Sequence, residues 1–205
     1  MRDVAIIGVG STVFGKFPQK ALFELGSEAA REAIRDGGVN PKEIQFAYYA
    51  NLYGGMVEGQ AALRDVGITN IEITNVENAC AGGATAVRRA WYDIASGLYD
   101  IGIVVGSESM TTSPTAGKLI TPAKGDISGE LGMNTVAKFA LSQRRYMDIN
   151  GVTLEQIAKV SVKNHHNACL SKYAQYKKEF TVEEIINSRP ICDPITQLQG
   201  CALIE

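Results

Sequence analysis

The sequence carries little excess charge of either sign. Its 205 residues hold 20 lysines and arginines against 22 aspartates and glutamates, a formal net charge of -2. That balance excludes the dense basic surface of a general nucleic-acid binder, and no nucleic-acid partner is expected. Long apolar runs are also missing. No stretch approaches the about 18 uninterrupted apolar residues of a membrane span, so no membrane partner is expected. The four cysteines, Cys80, Cys169, Cys192 and Cys201, form no Cys-x-x-Cys pair. Neither a zinc site nor a thioredoxin-type motif is indicated, and no residue is assigned to a metal. Met1-Arg2-Asp3-Val4 runs straight into apolar sequence without the charged, apolar and cleavage regions of a secretory signal. A cytoplasmic protein with free thiols is the expectation. Repeats and low-complexity tracts are absent. What is present is an apolar composition, 45% hydrophobic, too high for a disordered chain. The 21 glycines are spread through the chain, as suits α/β folds with many tight corners.

The first hundred or so residues alternate strand and helix patterns. Val4-Ala5-Ile6-Ile7-Gly8 is a continuous apolar run closed by glycine, the pattern of a strand covered on both faces. Residues 21–36 place Leu22, Leu25, Ala29, Ala33 and Ile34 at helical spacing, and Gly37-Gly38 supplies the stop. Residues 44–52 read as a second strand, 56–66 as a short helix, 71–76 as a third strand, 80–97 as a helix and 101–106 as a fourth strand. Such alternation implies βαβ units with a parallel sheet. Residues 110–130 hold Thr, Ser, Pro, Gly and Lys with little periodicity and read as a long loop. Helical patterns follow at 131–148, 154–169 and 181–188. Thr153 with Gln156, and Thr181 with Glu184, have capping-box spacing.

The most informative segment is Asn78-Ala79-Cys80-Ala81-Gly82-Gly83-Ala84. A strand ends, the chain turns, and a helix begins at a cysteine. A thiolate there is favoured by the helix dipole and by free backbone N–H groups. The same groups suit the oxyanion of a tetrahedral intermediate. Small residues after the cysteine leave room for a thioester. From pattern alone a small buried cysteine on a packing helix fits as well. Gly8-x-Gly10 after an apolar run has the start of a dinucleotide turn, but Val13 stands where its third glycine belongs. Asp93, Glu108 and Asp126 show no pairing that points to acid–base work by two carboxylates.

The segment around Cys80 resembles the nucleophile segment of the thiolase superfamily, and four further stretches match in order. Gly8-Val9-Gly10-Ser11-Thr12-Val13-Phe14-Gly15-Lys16 resembles the first strand and turn of sterol-carrier-type and archaeal-type thiolases. Gly106-Ser107-Glu108-Ser109-Met110 resembles the end of their fourth strand. Gly132-Met133 resembles the start of the helical part of their loop domain. Lys163-Asn164-His165 with Tyr173-Ala174-Gln175-Tyr176 resembles a further family stretch, although Lys172 stands where proline is usual. The resemblance implies a layered α/β fold with a mixed sheet in βαβαβαβ order. Residues 1–109 would form the core, 110–190 a helical loop domain, and 191–205 a return segment toward a fifth strand that lies beyond this sequence. It implies coenzyme A as a substrate and Cys80 as the residue that accepts the acyl group. It makes His165 and Asn164 further catalytic candidates, and Gly82, Gly83 and Met133 candidates for the CoA pocket. His165 and His166 equally suit a helix surface. Lys118, Lys124, Lys172, Lys177 and Lys178 are candidates for CoA phosphates or plain solvated surface.

The family's other catalytic histidine and its acid–base cysteine belong to the second half, which this sequence does not contain. The expectation is therefore half of an active site, in a fragment or in a chain completed by a second polypeptide. Three functions follow. The first is a thiolase transferring acyl groups between 3-oxoacyl-CoA and CoA, including aromatic esters such as benzoylsuccinyl-CoA. Tyr48, Tyr49 and Tyr53 would then line an aromatic site or pack in the core. The second is a ketoacyl- or hydroxymethylglutaryl-synthase-type condensing enzyme. The third is a non-catalytic thiolase-like scaffold. The resemblance also implies a homodimer, for which Ile71-Glu72-Ile73-Thr74 has the alternation of an edge strand. Some relatives pair with a zinc-ribbon/OB-fold companion subunit.

Overall fold

The computed structural model describes residues 1–112 and 125–201. They fall into two compact units at that division. Lys118 and Lys124, and most of the expected loop of residues 110–130, lie outside the described residues.

In the first unit three short apolar segments form a parallel sheet: β1 (Phe46–Ala50), β2 (Glu72–Val76) and β3 (Gly102–Gly106), in the order β2-β1-β3. Phe46 stands level with Glu72 on one side and Gly102 on the other. Successive residues of a strand point to opposite faces, and this decides the layering. On one face Tyr49 meets α1 (Leu22–Gly37) and α2 (Glu58–Val66), where Cβ atoms added at Gly26 and Gly59 would lie 2.4 Å and 2.6 Å from it. On the other face Tyr48 reaches α3 (Gly82–Ser96) and donates to Asp93 at 2.7 Å. The first face holds the main core, with Ala30, Ala47, Tyr49, Ala62, Leu63, Ile103 and Val105 buried. On the α3 face Phe46 stacks on Tyr99 at 4.8 Å. The Phe46 ring also occupies the space a side chain at residue 102 would need.

In this unit the helix and strand boundaries follow the sequence pattern within a few residues, with one exception. The run Val4–Gly8, expected as a strand, is extended but joins no strand among the described residues. Its ends are held elsewhere. Arg2 N donates to Ala95 O at 3.0 Å and its guanidinium pairs with Asp100 at 2.7 Å. Val9 N and Ser11 N donate to Asp36 and Glu32 of α1, each at 2.9 Å. Gly8 and Gly10 lie against the α1 backbone so closely that a Cβ on either would be 2.3 Å from a carbonyl oxygen, of Ala33 or Ala29. The glycines expected of a dinucleotide turn thus serve a helix contact instead. Gly38 ends α1 in the left-handed region at φ 61°, which only glycine adopts without strain.

The second unit is mostly helical: α4 (Ile127–Glu130), α5 (Thr135–Asn150), α6 (Leu154–Leu170) and α7 (Val182–Ile186). The strands β4 (Pro190–Cys192) and β5 (Ile195–Thr196) add an antiparallel pair that the sequence pattern did not signal. Thr153 and Thr181 cap α6 and α7 in the reciprocal boxes their spacing predicted. Ala140, Ala158 and Ile185 are buried, while Phe139, Leu141, Ile149 and Leu170 are exposed. Among the described residues no helix is long and apolar enough to cross a membrane.

Candidate active site at the sheet's C-terminal edge

Parallel strands gather the loops that follow them at one edge, where α/β folds place their ligands. Three loops meet there in the first unit. The loop after β2 carries Cys80. Asn78 begins a single 3-10 turn, Ala79–Ala81, and α3 starts directly behind it at Gly82. Cys80 is therefore neither mid-helix nor walled off: it is exposed, two residues ahead of the helix it was expected to open. The turn is held by Ala79 N donating to Glu77 Oε1 at 2.7 Å and Ala81 N donating to Asn78 O at 2.9 Å. Asn78 Nδ2 donates to Thr85 Oγ1 at 2.8 Å and ties the turn to the first coil of α3. Ala79 takes a positive φ of 44°, where a side chain is strained. Such strain, held by surrounding bonds next to a candidate nucleophile, is characteristic of functional turns.

Gly82 and Gly83 divide their work. Gly82 is buried, and a Cβ there would meet Ala50 Cβ at 3.5 Å. Gly83 faces open space, with nothing within 4 Å of the position a Cβ would take. α3 itself is not enclosed on all sides by the described residues. Ala86, Ala90 and Ala95 are buried toward the sheet, while Val87, Trp91 and Tyr92 stay exposed because no described element covers the outer face of the helix.

Glu108 sits inside the Gly106–Met110 motif but shows no pairing in the sequence that points to a role. Its Oε2 accepts from Leu52 N at 2.7 Å and Tyr53 N at 3.1 Å, and its Oε1 from Ser109 N at 3.1 Å. One carboxylate thereby ties the loop after β1 to the loop after β3. Ser107 adds a second tie, its N–H donating to Ala50 O at 3.1 Å and its hydroxyl meeting Tyr49 Oη. Burial, first of all, and the charges of Glu58 and Glu108 push the Tyr49 hydroxyl up to about 12, against the pull of Ser107. Burial and the Asp93 carboxylate push Tyr48 up to about 12. The two tyrosines therefore stay protonated on opposite faces of β1 and line no common pocket. Only Tyr53, half-buried at the strand exit, remains near this edge.

The other candidates stand in the second unit. His165 is half-buried on α6, edge-on to Phe180 at 4.8 Å, with Nε2 3.2 Å from Leu198 O. In the neutral ring that contact places the proton on Nε2 and leaves Nδ1 as an acceptor. Asn164 is exposed beside it. His166 Nδ1 meets Glu179 at 2.8 Å on the surface. Met133 is half-buried just before Asn134, the residue that caps α5. Lys172 and Lys178 lie over the rings of Tyr173 and Phe180. Among the described residues no three histidine, cysteine, aspartate or glutamate side chains gather as a metal site.

The chain is similar to known proteins in sequence and in fold. Residues 4–192 match the family model described as thiolase, N-terminal domain. The benzoylsuccinyl-CoA thiolase subunit BbsB of Thauera aromatica is 38% identical over all of this chain and 53% of its own length. An acetyl-CoA acetyltransferase of Methanocaldococcus jannaschii is 35% identical over 97% of this chain and 52% of its own. Among solved structures, an Ltp2–ChsH2(DUF35) aldolase superposes with a TM-score of 0.76 at 26% identity, over 97% of this chain and 52% of that one. The chain spans about half the length of the curated relatives it matches. On its residues and its fold, this chain belongs to the thiolase family, as an N-terminal thiolase domain.

Proposed function

We propose that the chain is the nucleophile-bearing half of a thiolase, acting on acyl-CoA with CoA as co-substrate. The observation that carries the reading is Cys80, exposed in a strained turn between the end of β2 and the start of α3. In the thiolytic direction Cys80 Sγ attacks the 3-oxo carbon of a 3-oxoacyl-CoA. The bond between carbons 2 and 3 breaks, and its electron pair leaves with the enolate of the shortened acyl-CoA. That carbon takes its proton from an acid outside this chain. CoA thiolate then attacks the Cys80 thioester, releasing the second acyl-CoA and free Cys80. The covalent intermediate splits one difficult step into two easier ones. The Cys80 N–H, Gly82 and Gly83 line the approach. Met133 and Asn164 are assigned to the CoA side. His165 is kept as a catalytic candidate through Nδ1, its Nε2 meeting Leu198 O.

Benzoylsuccinyl-CoA is the aromatic substrate we favour, supported by the name of the Thauera relative. The positions of Tyr48 and Tyr49 lend it no support. A companion subunit is supported by that relative being a subunit and by the solved structure being a two-component assembly. The exposed edge of β2 supports pairing with a second copy. A cytoplasmic location completes the reading.

The test is acylation. The chain, completed by the polypeptide that supplies its second half, is incubated with acetyl-CoA and analysed by intact mass and peptide mapping. One acetyl group on Cys80, absent in Cys80→Ser, is expected. A completed enzyme that turns over substrate with no Cys80 adduct overturns the assignment. A Cys80 that reacts no faster than a model thiol, with no turnover, favours the scaffold instead.

A further inference from the structure

The ladder between β1 and β3 stops where the candidate site begins. Its last level pair is Ala50 with Gly106. Ser107 N donating to Ala50 O at 3.1 Å is the last backbone bond between the two strand exits among the described residues. Beyond it the side chain of Glu108 takes over. Its two oxygens accept from Leu52, Tyr53 and Ser109, three backbone N–H groups that no strand partner serves. No lysine or arginine among the described residues pairs with this carboxylate. Its acceptor capacity goes to the backbone of the two loops.

Ala50 links this tie to Cys80. Val76, the last residue of β2, stands level with Ala50. Gly82, the first residue of α3, lies over it: a Cβ there would be 3.5 Å from Ala50 Cβ and 3.8 Å from Val76 O. The turn that carries Cys80 thus leaves the sheet and enters the helix against the same buried alanine. In a close-packed contact of this kind, a shift of Ala50 moves the base of the turn. Two residues after Ala50 comes Leu52, the first N–H that Glu108 holds.

We infer that Glu108 is a positioning residue for acyl transfer at Cys80, acting through the exit of β1 and Ala50 on the turn between Val76 and Gly82. The inference rests on the acyl-transfer reading proposed above. Two properties of the side chain carry it, reach and acceptor oxygens. Aspartate keeps the charge but is one methylene shorter and does not bridge both loops. Glutamine keeps the reach: its one oxygen can accept from Leu52 and Tyr53 as Oε2 does, while its amino group faces the Ser109 N–H, donor against donor. The rate of acylation therefore follows geometry rather than charge, in the order Glu, Gln, Asp, with Ala as slow as Asp. A misplaced sulfur is slow toward a thioester whose approach the site fixes, but not toward a small free electrophile that arrives from any side.

The test compares the completed enzyme with its Glu108→Gln, Glu108→Asp and Glu108→Ala variants. Acetylation of Cys80 by acetyl-CoA and its alkylation by iodoacetamide are each timed by peptide mapping. In Glu108→Ala and Glu108→Asp, acetylation should slow by about 10- to 100-fold while alkylation stays within about twofold of the parent. The loss should appear in kcat with little change in KM, and Glu108→Gln should recover most of the rate. Acetylation at the parent rate in Glu108→Ala or Glu108→Asp would overturn the inference. So would alkylation falling in step with acetylation, which would mean a general loss of structure around Cys80. If Glu108→Ala does not fold, the other two variants decide: glutamine faster than aspartate is expected, and the reverse order would mean that charge matters and overturn it. A parent enzyme that turns over with no acetyl group on Cys80 overturns the acyl-transfer reading and this inference with it. A parent that acetylates, with variants that acetylate equally well, overturns this inference alone.

Discussion

Replacing Tyr49 with phenylalanine removes one oxygen from the core of the first unit and isolates two effects of opposite sign. Tyr49 is 0% exposed, and its hydroxyl meets Ser107 Oγ. Ser107 Oγ donates onward to Leu22 O at 3.3 Å, so it is not stranded in the variant. The lost hydrogen bond then costs about 1 kcal/mol near neutral pH. At alkaline pH the balance changes. The folded Tyr49 hydroxyl is raised to about 12 from an ordinary 10.0, mainly by burial. Below 10 both the folded and unfolded forms keep the proton and the full stability is present. Between 10 and 12 the unfolded chain ionises while the folded one does not, so stability falls as pH rises. For this one residue the loss reaches about 1.4 kcal/mol near pH 11 and tends toward about 2.7 kcal/mol above it. Tyr49→Phe escapes that loss. It is therefore less stable than the parent near pH 8 and equal to it, or more stable, near pH 11. Urea unfolding followed by Trp91 fluorescence across this range measures the gap. A gap that stays constant with pH would refute the burial argument, whatever its size at neutrality.

Three further outcomes are expected. Ala79→Val places a β-branched residue at a positive φ and should cost about 1–2 kcal/mol, seen as a lower urea midpoint, while Ala79→Gly should not lower it. Gly10→Ala drives a Cβ to 2.3 Å from Ala29 O and should cost about 1–3 kcal/mol; an unchanged midpoint would mean the N-terminal segment does not rest on α1. Thr153→Ala removes the hydroxyl that accepts from Gln156 N and should lower the stability of the second unit by about 1 kcal/mol, read by circular dichroism on heating.

Periodicity and punctuation wrote most of the elements into the sequence. Helical spacing with a glycine stop gave α1, and threonine three residues ahead of a glutamine or glutamate gave the starts of α6 and α7. These are local effects, decided within a few residues. Cys80 was legible for the same reason, since a strand, a turn and a Gly/Ala-rich helix are adjacent in the chain. Long-range placement was not legible. The composition of Val4–Gly8 is that of a doubly covered strand, but a strand needs a neighbour, and no local pattern says whether one is present. Tyr48 and Tyr49 of β1 suit an aromatic site or a packed core equally in sequence, yet adjacent residues of a strand face opposite ways, and only the layering of α1, α2 and α3 around β1 shows what each one meets. Glu108 could not be placed from sequence because its partners, Leu52 and Tyr53, lie 56 and 55 residues away. The sequence by itself determined which segments are helix or strand and which sulfur stands at a strand–helix junction. The tertiary structure alone decided which edges are paired, which faces are covered and which carboxylate ties the loops beside Cys80, because those depend on what the fold brings together across tens of residues of chain.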